Sequence, residues 1–106
     1  PTLQEKFEAT EKLLSAKYKD IKADYIRVLI SEGADVNARG IHGLTPLMFA
    51  AGYSSTPEIV QLLLEKGAEL EARSTLGNTP LMFTLGNFNG KFAEIKQLLI
   101  DAGATE

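Results

Sequence analysis

The chain has 106 residues, of which 44% are hydrophobic, and its formal net charge at pH 7 is −3. These values are typical of one soluble folded domain and give no indication of disorder. Apolar runs are far shorter than the roughly 18 residues that a membrane-spanning helix needs, and mild acidity argues against general affinity for nucleic-acid backbones. Because cysteine is absent, disulfides and thiolate metal sites are excluded.

The compartment is weakly constrained by these features. A cytoplasmic location is favoured, but the chain starts at Pro1 without Met, so an exported form stays open. The only basic cluster contains Lys17, Lys19 and Lys22, which a solvated helix end explains.

The first predicted helix carries charges along one side, which indicates a solvent-facing surface. Those charged residues are Glu5, Lys6, Glu8, Glu11 and Lys12. A second helix follows and ends at Gly33, where glycine can adopt a left-handed backbone without steric cost.

One phrase occurs twice, 34 positions apart: Thr45-Pro46-Leu47-Met48-Phe49 returns as Thr79-Pro80-Leu81-Met82-Phe83. A Thr hydroxyl can cap the free amides of a first helical turn, and Pro is well tolerated at the first helical position. The phrase therefore predicts two helix starts and an internal repeat, which has priority in the interpretation of a sequence.

The repeat continues into a second helix in each unit. Thr56-Pro57-Glu58 provides a cap, a first-position Pro and a carboxylate favoured by the helix dipole. A broad apolar stripe follows and ends at Gly67, which lies 34 positions after Gly33 and 36 before Gly103. Residues 40–43 and 74–77 are predicted to form tight turns between units.

These motifs resemble ankyrin repeats. Residues 43–51 with 58–68 resemble one complete repeat, and residues 77–82 with 98–104 resemble a second. Residues 25–38 are similar to the end of a third repeat whose opening has diverged, so that the resemblance covers about residues 10–106. The resemblance implies antiparallel helix pairs stacked side by side, with turns projecting as fingers beside a concave face made by the first helices.

The expected fold is therefore an all-α ankyrin-repeat solenoid of about three repeats with terminal caps and projecting turns or β-hairpin fingers. We expect a single domain over residues 1–106. It comprises a divergent N-terminal capping repeat (3–39), a full repeat (40–73) and a C-terminal capping repeat (74–106). In the last repeat the stop glycine follows its predecessor by 36 positions, whereas the Thr-Pro phrase follows by 34. The two extra positions place residues 87–90 in a longer interhelical loop.

Four positions depart from the family pattern. Met48 and Met82 replace the usual His, so an apolar contact is expected in place of its hydrogen bond. Gly40 and Ser74 replace the usual Asp, which predicts weaker polar bracing of the finger turns.

The two ends of the stack are predicted from polar residues at stacking positions, since terminal repeats need a polar outer face. Lys96 aligns with the apolar Ile26 and Val60, which indicates a C-terminal cap. At the start, Glu11-Lys12-Leu13-Leu14 stands in place of the Thr-Pro-Leu-Met phrase, within the charged first helix.

No catalytic constellation is found, and no catalytic, cofactor-binding or metal-ligating residue is predicted. His42 is the only histidine and falls at a predicted finger tip, which favours an exposed turn residue or a binding contact. The acidic residues are dispersed singly, as expected of solvated faces, and no pair is isolated in an apolar setting.

The candidate partner contacts lie on the finger tips or on the exposed side of the first helices, as the resemblance implies. They are Ile41, His42, Leu44, Phe49, Thr75, Leu76, Asn78 and Phe83. Packing explains Phe49, Phe83 and Leu44 equally well. Tyr53 and Phe88 could form a second site in the interhelical loops or fold back over their own repeats.

These residues favour a non-catalytic module that binds a protein partner of unknown identity through its fingers and concave face. We expect a monomer that binds neither nucleic acid nor membrane. The alternative is a structural or capping segment of a larger protein whose activity lies outside this chain. An enzyme is a third possibility, which requires a cleft that gathers carboxylates dispersed in the sequence.

Overall fold

The computed structural model describes residues 1–88 and 90–105, and the predicted interhelical loop at 87–90 therefore includes one position, Asn89, outside the described residues. Within the described part the chain forms α-helices and two 3-10 turns, Ile41–Gly43 and Thr84–Gly86, without strands. The helices are α1 (Leu3–Ser15), α2 (Ala23–Ser31), α3 (Pro46–Tyr53), α4 (Pro57–Glu65), α5 (Pro80–Phe83) and α6 (Phe92–Asp101).

The helices pair in chain order as α1 with α2, α3 with α4, and α5 with α6. Between pairs, α3 packs against α5, while α4 packs against both α2 and α6. One apolar core runs through all three pairs, because buried residues from each contribute to the same cluster. The all-α solenoid predicted from the sequence is confirmed.

Both helix starts that the repeated phrase predicts are confirmed, at Pro46 and Pro80, but their caps differ. The Thr45 hydroxyl accepts a hydrogen bond from the Met48 amide at 3.3 Å. In α5 the Met82 amide instead donates to the Thr79 carbonyl at 3.0 Å, in the tighter geometry of a 3-10 turn. The predicted hydroxyl cap at Thr79 is therefore wrong, and this buried hydroxyl has no hydrogen-bond partner in the described structure.

The first helix begins earlier than the alignment with the repeated phrase suggests. Thr2 caps α1, since its hydroxyl accepts from the Glu5 amide at 3.1 Å and its own amide donates to the Glu5 carboxylate at 2.9 Å. Residues 11–14 lie in the last turns of α1, not at its start. The local capping box decides where this helix begins.

The predicted helix stops are confirmed. Gly33, Gly67 and Gly103 all have left-handed backbones, with φ of 96°, 94° and 110°. In each repeat the next residue donates its amide back to the helix, as Ala68 does to the Leu63 carbonyl at 3.0 Å. This arrangement satisfies carbonyls that the helix end would otherwise leave free.

Equivalent residues in the second and third repeats differ in burial. Met48 is fully buried, and its sulfur accepts a long contact from the Thr45 amide at 3.5 Å. Its counterpart Met82 is 45% exposed. Beside it Leu85 is 72% exposed at the position that a fully buried Ala51 occupies one repeat earlier. The outer face of the third repeat therefore exposes apolar side chains together with the half-buried Lys96.

In the part of the chain that the structure describes, no helix has the length and apolar character needed to cross a membrane.

The pair Met48 and Met82 provides a matched test of the stacking. Met48→Ala should lower the free energy of unfolding by about 2–5 kcal/mol, as truncation of a fully buried side chain does, whereas Met82→Ala should cost less than about 1 kcal/mol. Urea denaturation monitored by circular dichroism measures both values. Equal losses from the two substitutions would contradict the difference in burial.

Candidate functional site

The two turns between repeats, residues 40–44 and 74–78, are here called the finger turns. In the first, the Gly40 amide donates to the Leu44 carbonyl at 2.8 Å, and His42 at the tip has a left-handed backbone with φ of 56°. In the second, the Ser74 amide donates to the Asn78 carbonyl at 2.9 Å, and the Ser74 hydroxyl accepts from the Asn78 amide at 3.2 Å. Each turn is thus closed by its own hydrogen bonds.

An arginine next to each finger turn supplies polar bracing that the sequence analysis missed. The Arg39 guanidinium donates to the Gly43 carbonyl at 2.9 Å and also to the Arg73 carbonyl of the next repeat. Arg73 repeats the first contact, donating to the Gly77 carbonyl at 2.7 Å. The expected weakening of the turns by the missing Asp is therefore offset. The occurrence of Arg at the same repeat position was a signal for this role.

The finger turns are also joined to each other. The Thr75 amide donates to the His42 carbonyl at 3.0 Å. A side chain at Gly43 would meet the Thr75 hydroxyl at 2.9 Å, so the two turns approach as closely as glycine allows. This contact places the two tips side by side on one edge of the stack.

Four of the predicted contact residues are exposed at these adjacent tips. Ile41 is 67% and Leu76 is 85% exposed, and His42 and Thr75 are exposed beside them. Asn78 is half-buried at the base of the second turn. The structure therefore brings together the polar and apolar tip residues that the sequence selected.

The other three predicted contact residues, Leu44, Phe49 and Phe83, are more buried than those at the tips. Leu44 is buried with Met48 and Ala72 in a small second cluster of the core, so it packs within the stack and offers no surface to a partner. Phe49 and Phe83 are half-buried against this same cluster and retain one accessible side.

Tyr18 is a buried residue that supports Phe49 from below, a role that the sequence analysis missed. Its ring stacks on that of Phe49, with the centroids 5.9 Å apart and the planes within 8°. The side chain is buried, and its hydroxyl donates to the Leu13 carbonyl at 2.8 Å. Its place in a loop, between α1 and α2, gave no periodic signal in the sequence.

The two interhelical aromatic residues keep a large part of their surface accessible. Phe88 is exposed, and Tyr53 is half exposed at the end of α3. The loops that carry them are tied to their neighbours, since the Asn87 amide group donates to the Ala51 and Ser54 carbonyls at 3.0 and 3.1 Å. These bonds connect the loop of the third repeat to that of the second.

The pKa values of Tyr18 and Glu5 are shifted from their usual ranges by their surroundings. Burial raises the pKa of the Tyr18 hydroxyl above its usual range, with a smaller contribution from Tyr25. Hydrogen bonds from the backbone and the side chain of Thr2, the residue that caps α1, lower the pKa of Glu5. Over residues 1–88 and 90–105, no three His, Asp or Glu side chains come close enough together to hold a metal ion.

Comparison with known proteins gave one finding. A family model described as ankyrin repeats, in three copies, matches residues 12–105. No curated protein matches the chain.

The role of Arg39 in bracing the finger turns leads to a prediction. Arg39→Ala should speed hydrogen exchange at the Leu44 and Thr75 amides roughly fivefold, because each of the two turns loses one solvent-exposed hydrogen bond worth about 1 kcal/mol. Amide exchange followed by NMR gives both rates.

Arg27→Ala is the control, since Arg27 lies on α2 and its ion pair within the described residues is an exposed one, with Asp24 at 2.8 Å. That change should leave the hydrogen-exchange rates of the Thr75 and Leu44 amides unchanged. Similar acceleration in both variants would show that Arg39 does not hold the turns.

Proposed function

Because the chain belongs to the ankyrin repeat family, we propose that it is a non-catalytic module that binds a protein partner through its finger turns and concave face. Ankyrin repeats are generally protein–protein interaction modules, and the family is generally non-enzymatic. The observation that carries the proposal for this chain is the pair of exposed apolar tips, Ile41 and Leu76, on a braced frame.

Large apolar side chains at projecting turns are costly to leave in water, and such groups often mark interaction sites. Around Ile41 and Leu76, the side chains of His42, Thr75 and Asn78 supply hydrogen-bonding groups. A partner that covers the tips would therefore gain an apolar centre with a polar surround, the arrangement found in binding hot spots.

The frame beneath the tips favours binding because little has to be ordered when a partner arrives. Arg39 and Thr75 connect the two turns, and the Asn37 side chain further links repeats through the Gly67 carbonyl at 3.0 Å and the Glu69 amide at 2.8 Å. A preorganised surface loses less conformational entropy on association. Phe49 and Phe83 extend the proposed contact onto the first helices.

The second candidate is a structural segment within a larger protein. Its support is the outer face of the third repeat, where Met82 and Leu85 are exposed at positions that the stack buries one repeat earlier. In that case an additional packed element would cover this face, and the finger tips would be free of a partner.

The test replaces Ile41, His42, Leu76 and Asn78 together by Ala. A partner is first obtained by affinity purification from the native source with the unchanged chain, identified by mass spectrometry and purified. Its Kd should then weaken at least about 30-fold with the fourfold variant, because apolar anchors at an interface centre carry much of the binding energy.

The control variant replaces two exposed apolar residues of α1, Leu3 and Phe7, by Ala. It should bind as the unchanged chain does, and both variants should keep their helical circular dichroism. Undiminished binding by a folded fourfold variant would reject the finger site, and loss of binding through Met82→Lys alone would favour the structural candidate.

A further inference from the structure

An open cavity of about 400 Å³ lies where the loop between α1 and α2 meets the end of α3. Its lining includes the aromatic residues Tyr18, Phe49 and Tyr53 and three exposed charged residues, which we take as its mouth: Lys17, Lys19 and Asp20. We call it the aromatic pocket. Its volume lies within the range of small ligand sites, roughly 300–1,000 Å³.

The loop that forms the aromatic pocket is held in place by the fold. The Asp20 amide donates to the Lys17 carbonyl at 2.8 Å, and the Ser55 hydroxyl of the next repeat donates to the Lys19 carbonyl at 3.1 Å. The Tyr18 ring is clamped between its stacking contact with Phe49 and its hydrogen bond to Leu13. The pocket is thus formed before any ligand arrives.

The floor of the aromatic pocket suits an apolar side chain. The Tyr18 ring is 2% exposed and supports Phe49 by stacking on it, so the accessible aromatic lining comes from Phe49 and Tyr53. Tyr53, 53% exposed, provides a wall that a ligand would cover. Aromatic walls of this kind gain most from burying an aliphatic or aromatic group.

The mouth of the aromatic pocket is positive although the chain is negative overall. Lys17 and Lys19 are both exposed, and neither forms an ion pair within the described residues. Asp20 is the one acidic residue that lines the pocket. Charge complementarity therefore favours a ligand that brings carboxylates to the two lysines.

We propose that the aromatic pocket binds an acidic segment of a protein partner, with one apolar anchor side chain packed against Phe49 and Tyr53 and flanking carboxylates paired with Lys17 and Lys19. This inference rests on the proposed function, because Phe49 belongs to both surfaces and one partner would span them. It specifies the chemistry of the partner segment, acidic with one apolar anchor, which the finger turns alone do not specify.

Single-stranded nucleic acid also uses aromatic and cationic side chains, but it is the weaker match. Its backbone is followed by an extended basic groove, whereas this mouth holds two lysines and one aspartate. One open anchor site with a small positive rim corresponds better to a peptide.

The test uses three short synthetic peptides and the full chain labelled with ¹⁵N. The first peptide has a central leucine between two runs of glutamate, the second has alanine in place of the leucine, and the third has lysine in place of the glutamates. Binding is followed by NMR shift titration. The first peptide should move the amides of residues 16–20, 49 and 53, and it should bind at least about tenfold more tightly than either of the others.

Two variants with matched controls locate the site. The double change Lys17→Glu and Lys19→Glu, and separately Tyr53→Ala, should each weaken the first peptide roughly tenfold. Lys66→Glu reverses another exposed lysine, and Phe7→Ala removes another exposed aromatic residue, on α1 and outside the pocket lining. Both controls should stay within about twofold of the unchanged chain.

The inference is overturned if the first peptide moves no amide of the aromatic pocket up to its solubility limit, or if the lysine peptide binds equally well. Preferential binding of an oligothymidine at the same amides would also overturn it. The finger experiment separates the two proposals: a purified partner that loses affinity with the finger variant but not with the pocket variants supports the proposed function and refutes this inference. If instead the first peptide binds in the pocket and the finger variant leaves the affinity for the partner unchanged, this inference is supported and the finger site is refuted.

Discussion

The structure depends on the stacking of equivalent helix pairs, because no single pair can bury its own apolar surface. The second helices show this most clearly: α4 is covered on one side by α2 and on the other by α6, and its Ile59 and Val60 are fully buried. Each repeat is therefore stable only in the presence of its neighbours, as in other one-dimensional repeat architectures. In α5 and the turn after it, Met82 and Leu85 are exposed, whereas their equivalents one repeat earlier, Met48 and Ala51, are fully buried between packed helices.

The same repetition builds the proposed binding surface. Since equivalent positions lie side by side in successive repeats, Arg39 reaches the backbone beside Arg73, and the His42 carbonyl meets the Thr75 amide. Similar contacts on the opposite edge connect the interhelical loops, through Ser55 and the Lys19 carbonyl. Polar contacts between repeats thus hold both edges, so that the finger turns and the aromatic pocket are parts of one rigid frame.

Much of this architecture could be predicted because its signals are local. The Thr-Pro phrases and the three stop glycines mark helix boundaries within a few residues, and the repeat period then gives the stacking. The sequence-based prediction failed at the local geometry of one helix start and at positions where a residue's role depends on a distant neighbour. The Thr79 cap is lost in a short 3-10-like helix, Leu44 is buried under the finger, and Tyr18 acquires its role by stacking on Phe49 from a loop without periodicity. The finger tips were predictable because the family pattern places them, whereas the aromatic pocket has no sequence signature.

The interdependence of the repeats is tested most directly by differential scanning calorimetry of the chain at neutral pH. If the three repeats stabilise one another, the chain should unfold in a single transition whose van't Hoff and calorimetric enthalpies agree. Two separate transitions, or a van't Hoff enthalpy well below the calorimetric value, would show that the repeats unfold independently and would contradict the account.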